Sequence, residues 1–434
     1  MKFQEIQLTK DASGHCINTT QCFSPDDQWI VFDTRNCDSL IGSTGRVAMV
    51  NSSTGEIKVL YETTNQTEDG PGVGAATFSP VANRVLFIHG IRNASAAHPY
   101  SMTRRTGVAI DLAKPGMPVF MDARDVMPPF TNGALRGGTH AHTWTADGEW
   151  ISFTYNDYIL EQAAKTETAM KDLRTIGIMV PGKKVQVPAT GMENNDGEMF
   201  SMLVTKVTEH PTPGSNEIEK AFDETWIGNK GYQKKDGSWQ RRAIAYQGNI
   251  RGEKGQLKTE IFVVDIPDNV LELADSSSLQ GTERTRPEVP TGLNNRRISF
   301  TTKGISSKPR HWLRSSPDGS RIAFLAEDKK GFVQLFTISP NGGDADQLTY
   351  SDFSIQGPFN FSPDGKYISY VADNSVFITE IDSAKAYRLT ERSDEIAKPV
   401  GAVVWSNDGN MICYNRYVDV DGERFLQIFL LKKI

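Results

Sequence analysis

The sequence contains no stretch approaching the ~18 consecutive apolar residues that a membrane-spanning helix requires, so a helical membrane protein is excluded and no membrane partner is expected. Its opening residues, MKFQEIQLTKD, hold no apolar run of the signal-peptide kind, which sets the expectation of a cytoplasmic protein. Cysteine is scarce: four in 434 residues (Cys16, Cys22, Cys37 and Cys413), with no CxxC pair. They read as free, mostly buried thiols rather than a disulfide framework or a thiolate metal site. Basic runs are missing too, and the formal net charge is −6, which argues against nucleic acid as the main partner. Neither a P-loop nor a GxGxxG phosphate cradle occurs, and no GxSxG elbow for a serine nucleophile.

What the chain does have is an internal repeat. An aromatic residue or Ser is followed by Ser-Pro-Asp-Gly or a variant of it, then by a short β-rich run. The copies are FSPDDQWIVF from Phe23, FSPVANRVLF from Phe78, WTADGEWISF from Trp144, SSPDGSRIAF from Ser315, FSPDGKYISY from Phe361 and WSNDGNMICY from Trp405. The last three recur at about 45 residues, the length of a four-stranded propeller blade. Pro and Asp-Gly favour a tight turn, with Gly taking the positive φ that other residues resist. The run behind the turn alternates as a mostly buried strand does.

Six copies leave room for one more blade between residues 157 and 310, so an all-β, seven-bladed propeller is expected, spanning residues 1–434 as one domain. The extra blade is assembled from FSMLVTKV, RRAIAYQ, EIFVVDI and RRISFTT. Its first hairpin would be opened by an insertion at about 209–240, where Asn216 and Glu219 form a candidate capping box for a short helix. Short helical insertions are expected in blades 3 and 4. The last blade has three strands before the chain stops, and the missing copy lies at the other end: IQLT at 6–9 matches DQLT at 346–349. The N-terminal strand is therefore expected to close the ring and remove an open edge.

These SPDG-type blades resemble the propeller repeats of TolB and of the peptidase propellers. The run GALRGGTHAHTWTADGEWISFTYND at 133–157, with PTPGSNEIEKAF further on, is similar to the YidR-like family of bacterial proteins. That resemblance implies the fold and no particular activity.

In such blades the loop leading into the inner strand and the loop between the second and third strands share one face, the mouth of the central channel. His15, His140, His142 and His311 fall at loops leading into inner strands, His89 ends a second strand, and His98 follows it; His210 alone falls on the SPDG side. His140 and His142, two apart on a strand, would point the same way. With His311 they make a candidate site for a divalent metal, Mn or Zn, which could act as a Lewis acid. An HxH leading into an inner strand, with a third His from another blade, is similar to the manganese site of the oligogalacturonate lyases. In that family a Gln three residues earlier is also a ligand, and Gly137 stands there in this sequence. An HxH on a strand is also commonly one packed and one solvated histidine. Arg104, Arg105 and Arg136 fall on the same face and could clamp a carboxylate, with Arg136 as the catalytic candidate; loop arginines also occur without such a role. His89 and Asp157 complete the candidate ligand-binding set. Asp157 and Glu161 equally suit the first turn of a helix, and 158–173 reads as a helix over the mouth, as lid or as cover.

Three readings follow for a chain expected to be a monomer: a metal-assisted lyase acting on an acidic sugar or oligosaccharide, a non-catalytic propeller binding a small molecule or peptide, and a scaffold docking a protein partner on its rim through the blade 3 and 4 insertions, 209–240 among them.

Overall fold

The computed structural model describes residues 2–167, 170–189, 193–275 and 279–434. Seven antiparallel sheets form the ring, all four-stranded except the first, which has three. In blade 1 the inner strand is reduced to two isolated bridges, Cys16 with Asp33 and Phe23 with Ile30. The apolar cores lie between the faces of successive blades. Phe78, Val85 and Phe87 of blade 2 meet Ile30 and Val47 of blade 1, which meet Val404 and Leu430 of blade 7.

The repeated phrase is a hydrogen-bonded turn module. In four copies its glycine has positive φ (Gly148, Gly319, Gly365 and Gly409), and in the first copy Asp27 does. The preceding Ser or Thr is doubly engaged. Ser362 Oγ donates to Asp364 at 2.6 Å and accepts from Tyr367 N at 2.9 Å; Ser406 repeats this with Asp408 and Met411 at 2.6 and 2.8 Å. Each copy thus satisfies polar groups that would otherwise be stranded where a strand starts.

The ring closes as expected. Phe3–Gln7 pairs antiparallel with Glu423–Lys433, Ile6 opposite Leu430, as the outer strand of the last blade. The short helices also fall in blades 3 and 4, at Tyr158–Ala163 and Val270–Asp275. The helix expected over 158–173 is thus one short piece, and residues 168 and 169 of that stretch lie outside the described residues.

Blade 4 corrects the reading above. Phe200–Leu203, from the FSMLVTKV run, pairs with Thr175–Val180 and is the outer strand of blade 3. The inner strand of blade 4 is Ile218–Trp226, paired with Arg242–Arg251, inside the segment taken for an insertion. Asn216 and Glu219 therefore cap no helix; Glu219 lies in that strand and accepts from Arg251. The inserted residues form a small hairpin, Tyr232–Gln233 with Trp239–Gln240, where the SPDG-type turn would stand.

Inner strands carry a bulge at the channel. The register slips at His140/Thr143, Phe222/Thr225 and Gly74/Thr77. Within each slip one residue takes the left-handed region: Ala141 at φ 57°, Asp223 at 51° and Ala75 at 54°. Each stands three residues before the aromatic that opens the turn (Trp144, Trp226, Phe78). A bulge leaves its extra residue out of the ladder and turns the backbone toward the channel, and non-glycine residues held at positive φ concentrate at functional sites.

Candidate functional site at the channel mouth

The bulge tips Ala75 and Ala141 line a cavity of about 450 Å³. Arg35, Tyr100, Arg105, His140, His142, Arg174, Arg310 and Trp312 supply its functional groups. Trp312 stands three residues before Ser315, the offset of the bulge tips in other blades.

The four arginines differ in how their charge is met. Arg35 is clamped by Asp33 at 2.6 and 2.9 Å and by Asp38 at 2.8 Å. Asp33 also accepts from Ala75 N at 2.8 Å, tying that arginine to a bulge tip. Arg310 chelates Asp223 at 2.7 and 3.1 Å and lies 4.4 Å from the centroid of the Trp312 ring. Arg105 is 5% exposed, and its side chain meets Tyr100 Oη at 2.6 Å while its Nε has no partner. Arg174 donates to Asn156 Oδ1 at 3.2 Å and to Met102 Sδ at 3.5 Å. Neither Arg105 nor Arg174 has a carboxylate partner among the described residues. Burial, with Arg310 and Arg105 nearby, lowers the pKa of Arg174 below its ordinary value. A desolvated guanidinium without a counterion is costly unless an anion meets it.

Both mouth imidazoles have a definable proton. Asn156 donates its amide to Asp172 at 2.7 Å, so its oxygen faces His140 and accepts from Nε2 at 3.0 Å. Thr139 Oγ1 donates to Asp122 Oδ2 at 3.0 Å and so accepts from His142 Nε2, also at 3.0 Å. Each ring is a neutral Nε2–H tautomer with its lone pair on Nδ1, and that atom in His142 is buried without a partner. Burial pushes His142 down to about 3 and, with Arg105 and Arg174, holds His140 well below the ordinary imidazole range. Close packing requires glycine beside them: a Cβ on Gly107 would come within 2.8 Å of His142 Nε2.

The expected metal triad does not assemble. The bulge at Ala141 stands between His140 and His142, and both still line the cavity. His311 is turned away into the wall: its Nδ1 donates to Pro309 O at 3.2 Å, and its Nε2 accepts from Leu325 N at 3.2 Å. That leaves it no lone pair for a cation. Among the described residues no group of three His, Cys, Asp or Glu could hold a metal, whereas a catalytic zinc site uses three protein ligands. The residues present do not fit Mn or Zn.

The other candidates separate from the mouth. Arg136 is buried against Asp157 at 2.9 Å and donates to Thr282 O and Thr285 O. Asp157 caps the helix, accepting from Leu160 N at 2.9 Å. Arg104 meets Glu193 at 2.7 Å and the carbonyls of His98 and Pro99. His89 is buried and bonded to Tyr61 Oη at 2.9 Å. Each is held by internal partners, and of the expected ligand set Arg105 alone lines the cavity. Tyr100, Arg174, Arg310 and Trp312 escaped sequence reasoning because each sits outside the strands with no motif around it.

Across almost its full length the chain resembles a bacterial protein, the uncharacterized protein YidR of Escherichia coli (strain K12), with 35% identity over 415 residues and 94% of each chain covered. The chain belongs to the YidR family. A family described as a protein of unknown function, DUF3748, matches residues 72–194, the segment that carries Tyr100, Arg105, His140, His142 and Arg174. Among solved structures this YidR-family chain superposes on an oligogalacturonate lyase in complex with manganese with a TM-score of 0.54, covering 100% of this chain and 98% of the other at 13% identity. An oligogalacturonate lyase from Vibrio parahaemolyticus gives a TM-score of 0.53, covering 100% and 97% at 10% identity. At such identities the likeness is one of fold. No helix among the described residues is long and apolar enough to cross a membrane.

Proposed function

We propose that the channel mouth binds a small carboxylate-bearing ligand, with an acidic sugar as the best-fitting class. The reading is carried by Arg105 and Arg174, two cations that line the cavity and have no carboxylate at ion-pair distance among the described residues. A planar guanidinium meets a carboxylate bidentately. Trp312 and Tyr100 add the flat apolar walls on which the ring of a sugar rests. The whole chain carries −6, so a cationic mouth marks a focused site for anions rather than a general basic surface. The lyases that share the fold are named for an acidic sugar polymer, which agrees with this class.

Calorimetric titration of galacturonate against the neutral sugar galactose tests it. Binding of the acid is expected to weaken roughly tenfold or more in both Arg105→Gln and Arg174→Gln, with galactose giving no heat. Equal affinity for acid and neutral sugar would refute the reading.

Turnover of the same ligand is a second reading, favoured by the Nδ1 lone pairs of His140 and His142 in the cavity wall. An imidazole as acidic as His142 accepts a proton poorly, which places binding ahead of catalysis. Absence of new ultraviolet absorbance from an unsaturated product in long incubations with oligouronides would remove this second reading.

A further inference from the structure

Arg174 belongs to two cavities. Beyond the mouth it also lines a second space of about 390 Å³, together with Asn156, Asp172, Lys220 and Arg251. The carboxylates around that space are engaged. Glu219 is held by Arg251 at 2.6 Å and Glu209 by Arg286 at 2.6 Å. Asp172 accepts from Asn156 Nδ2 and Asp157 N, both at 2.7 Å. Lys220 stands apart: its ammonium lies 4.2 Å from the centroid of the Phe222 ring, with no carboxylate partner among the described residues. Burial and the nearby Arg174 lower its pKa.

Three cations thus form no ion pair among the described residues, Arg105 in the mouth, Arg174 shared, and Lys220 in the second space; Asp223 and Asp172 act on Arg174, and Asp223 on Lys220, only from beyond contact distance. A monosaccharide with a single carboxylate can engage two of them at most and leaves Lys220 without an anionic contact. From this arrangement we infer that the ligand is an oligomer of the acidic sugar, at least a disaccharide, with successive carboxylates in the two cavities and Arg174 between them. The inference rests on the mouth reading above and extends it from one unit to two.

The experiment is a calorimetric comparison of galacturonate with its disaccharide on the full chain, in wild type, Lys220→Gln and Lys220→Arg. In wild type the disaccharide is expected to bind roughly tenfold or more tightly than the monomer, the effect of one added charge-assisted contact. In Lys220→Gln the monomer-to-disaccharide ratio should fall to about one, and Lys220→Arg should restore it, which a folding defect would not do. Monomer and disaccharide binding alike in wild type would overturn the two-cavity inference while leaving the mouth reading in place. An unchanged ratio in Lys220→Gln would overturn it as well. Failure of both ligands to bind wild type would remove the mouth reading itself.

Discussion

Deleting residues 1–8 should cost this propeller a large part of its stability, although the strand it pairs with lies at the other end of the chain. Phe3–Gln7 forms five register pairs with the last strand. Leu8 N also donates to Ile428 O at 2.9 Å, and Ile434 N to Lys2 O at 3.1 Å. Roughly half a dozen backbone hydrogen bonds at a net ~1 kcal/mol each come to ~5 kcal/mol. Half-buried Phe3 packs with Trp405 and Tyr414 of blade 7, and Leu8 with the blade 1 core. Together these add about 2 kcal/mol. The total is comparable to the ~5–15 kcal/mol by which whole proteins are stable. A drop in melting temperature of roughly 5–10 °C is expected by circular dichroism or calorimetry. The exposed edge of Glu423–Lys433 should also bring self-association on gel filtration. A synthetic peptide of residues 1–9 added in trans should recover part of the loss. A truncated chain that melts within about 2 °C of full length and elutes unchanged would refute the closure argument.

Three further outcomes are expected. Asp33→Ala leaves the buried Arg35 guanidinium with only exposed Asp38, and should lower unfolding free energy by ~3–5 kcal/mol in denaturant titration; a loss under about 1 kcal/mol would contradict the pairing. Glu224 is fully buried and its pKa is pushed up to about 7, chiefly by desolvation. An acid whose folded pKa is raised stabilises fully below its unfolded value near 4.5 and loses that contribution as pH rises through about 7. Glu224→Gln should therefore melt progressively higher than wild type between pH 5 and pH 8, and a pH-independent difference would count against buried ionisation. Native thiol titration should find one fast-reacting cysteine, half-exposed Cys37, since Cys16, Cys22 and Cys413 are buried; two or more fast thiols would contradict that burial.

The ring was legible because its signal is local. Ser-Pro-Asp-Gly writes a turn into a few residues, and a repeat of such turns counts blades without any knowledge of contacts. Closure was legible for the same reason, since IQLT at 6–9 is a displaced copy of DQLT at 346–349. Blade 4 was misassembled where that signal is missing: a hairpin at 232–240 replaces the turn, and the apolar run at 200–203 looks equally like the end of one blade or the start of the next. A Thr-Trp pair at 143–144 and again at 225–226 marks the true inner strand, and aligning the two would have recovered it. The mouth was read in part. The face and Arg105 were visible from blade layout. The fate of His311 depends on a carbonyl at Pro309 and an amide at Leu325, contacts with no residue-type signature. Arg104 and Arg136 have the composition of ligand clamps and are spent on Glu193 and Asp157, pairings that only three-dimensional proximity reveals.

The bulges at Ala75, Ala141 and Asp223 have a consequence for how such a protein can change. Each is a one-residue tip outside the strand ladder, so its side chain can be exchanged while the pairing on either side keeps its register. Asp223 already uses its tip to hold Arg310, and the matching position in the next blade carries Trp312. The same ring can therefore acquire new ligand preferences by varying a handful of tips one at a time. A combinatorial library confined to Ala75 and Ala141, drawn from residues that accept positive φ such as Gly, Asn and Asp, would search specificity while sparing the fold.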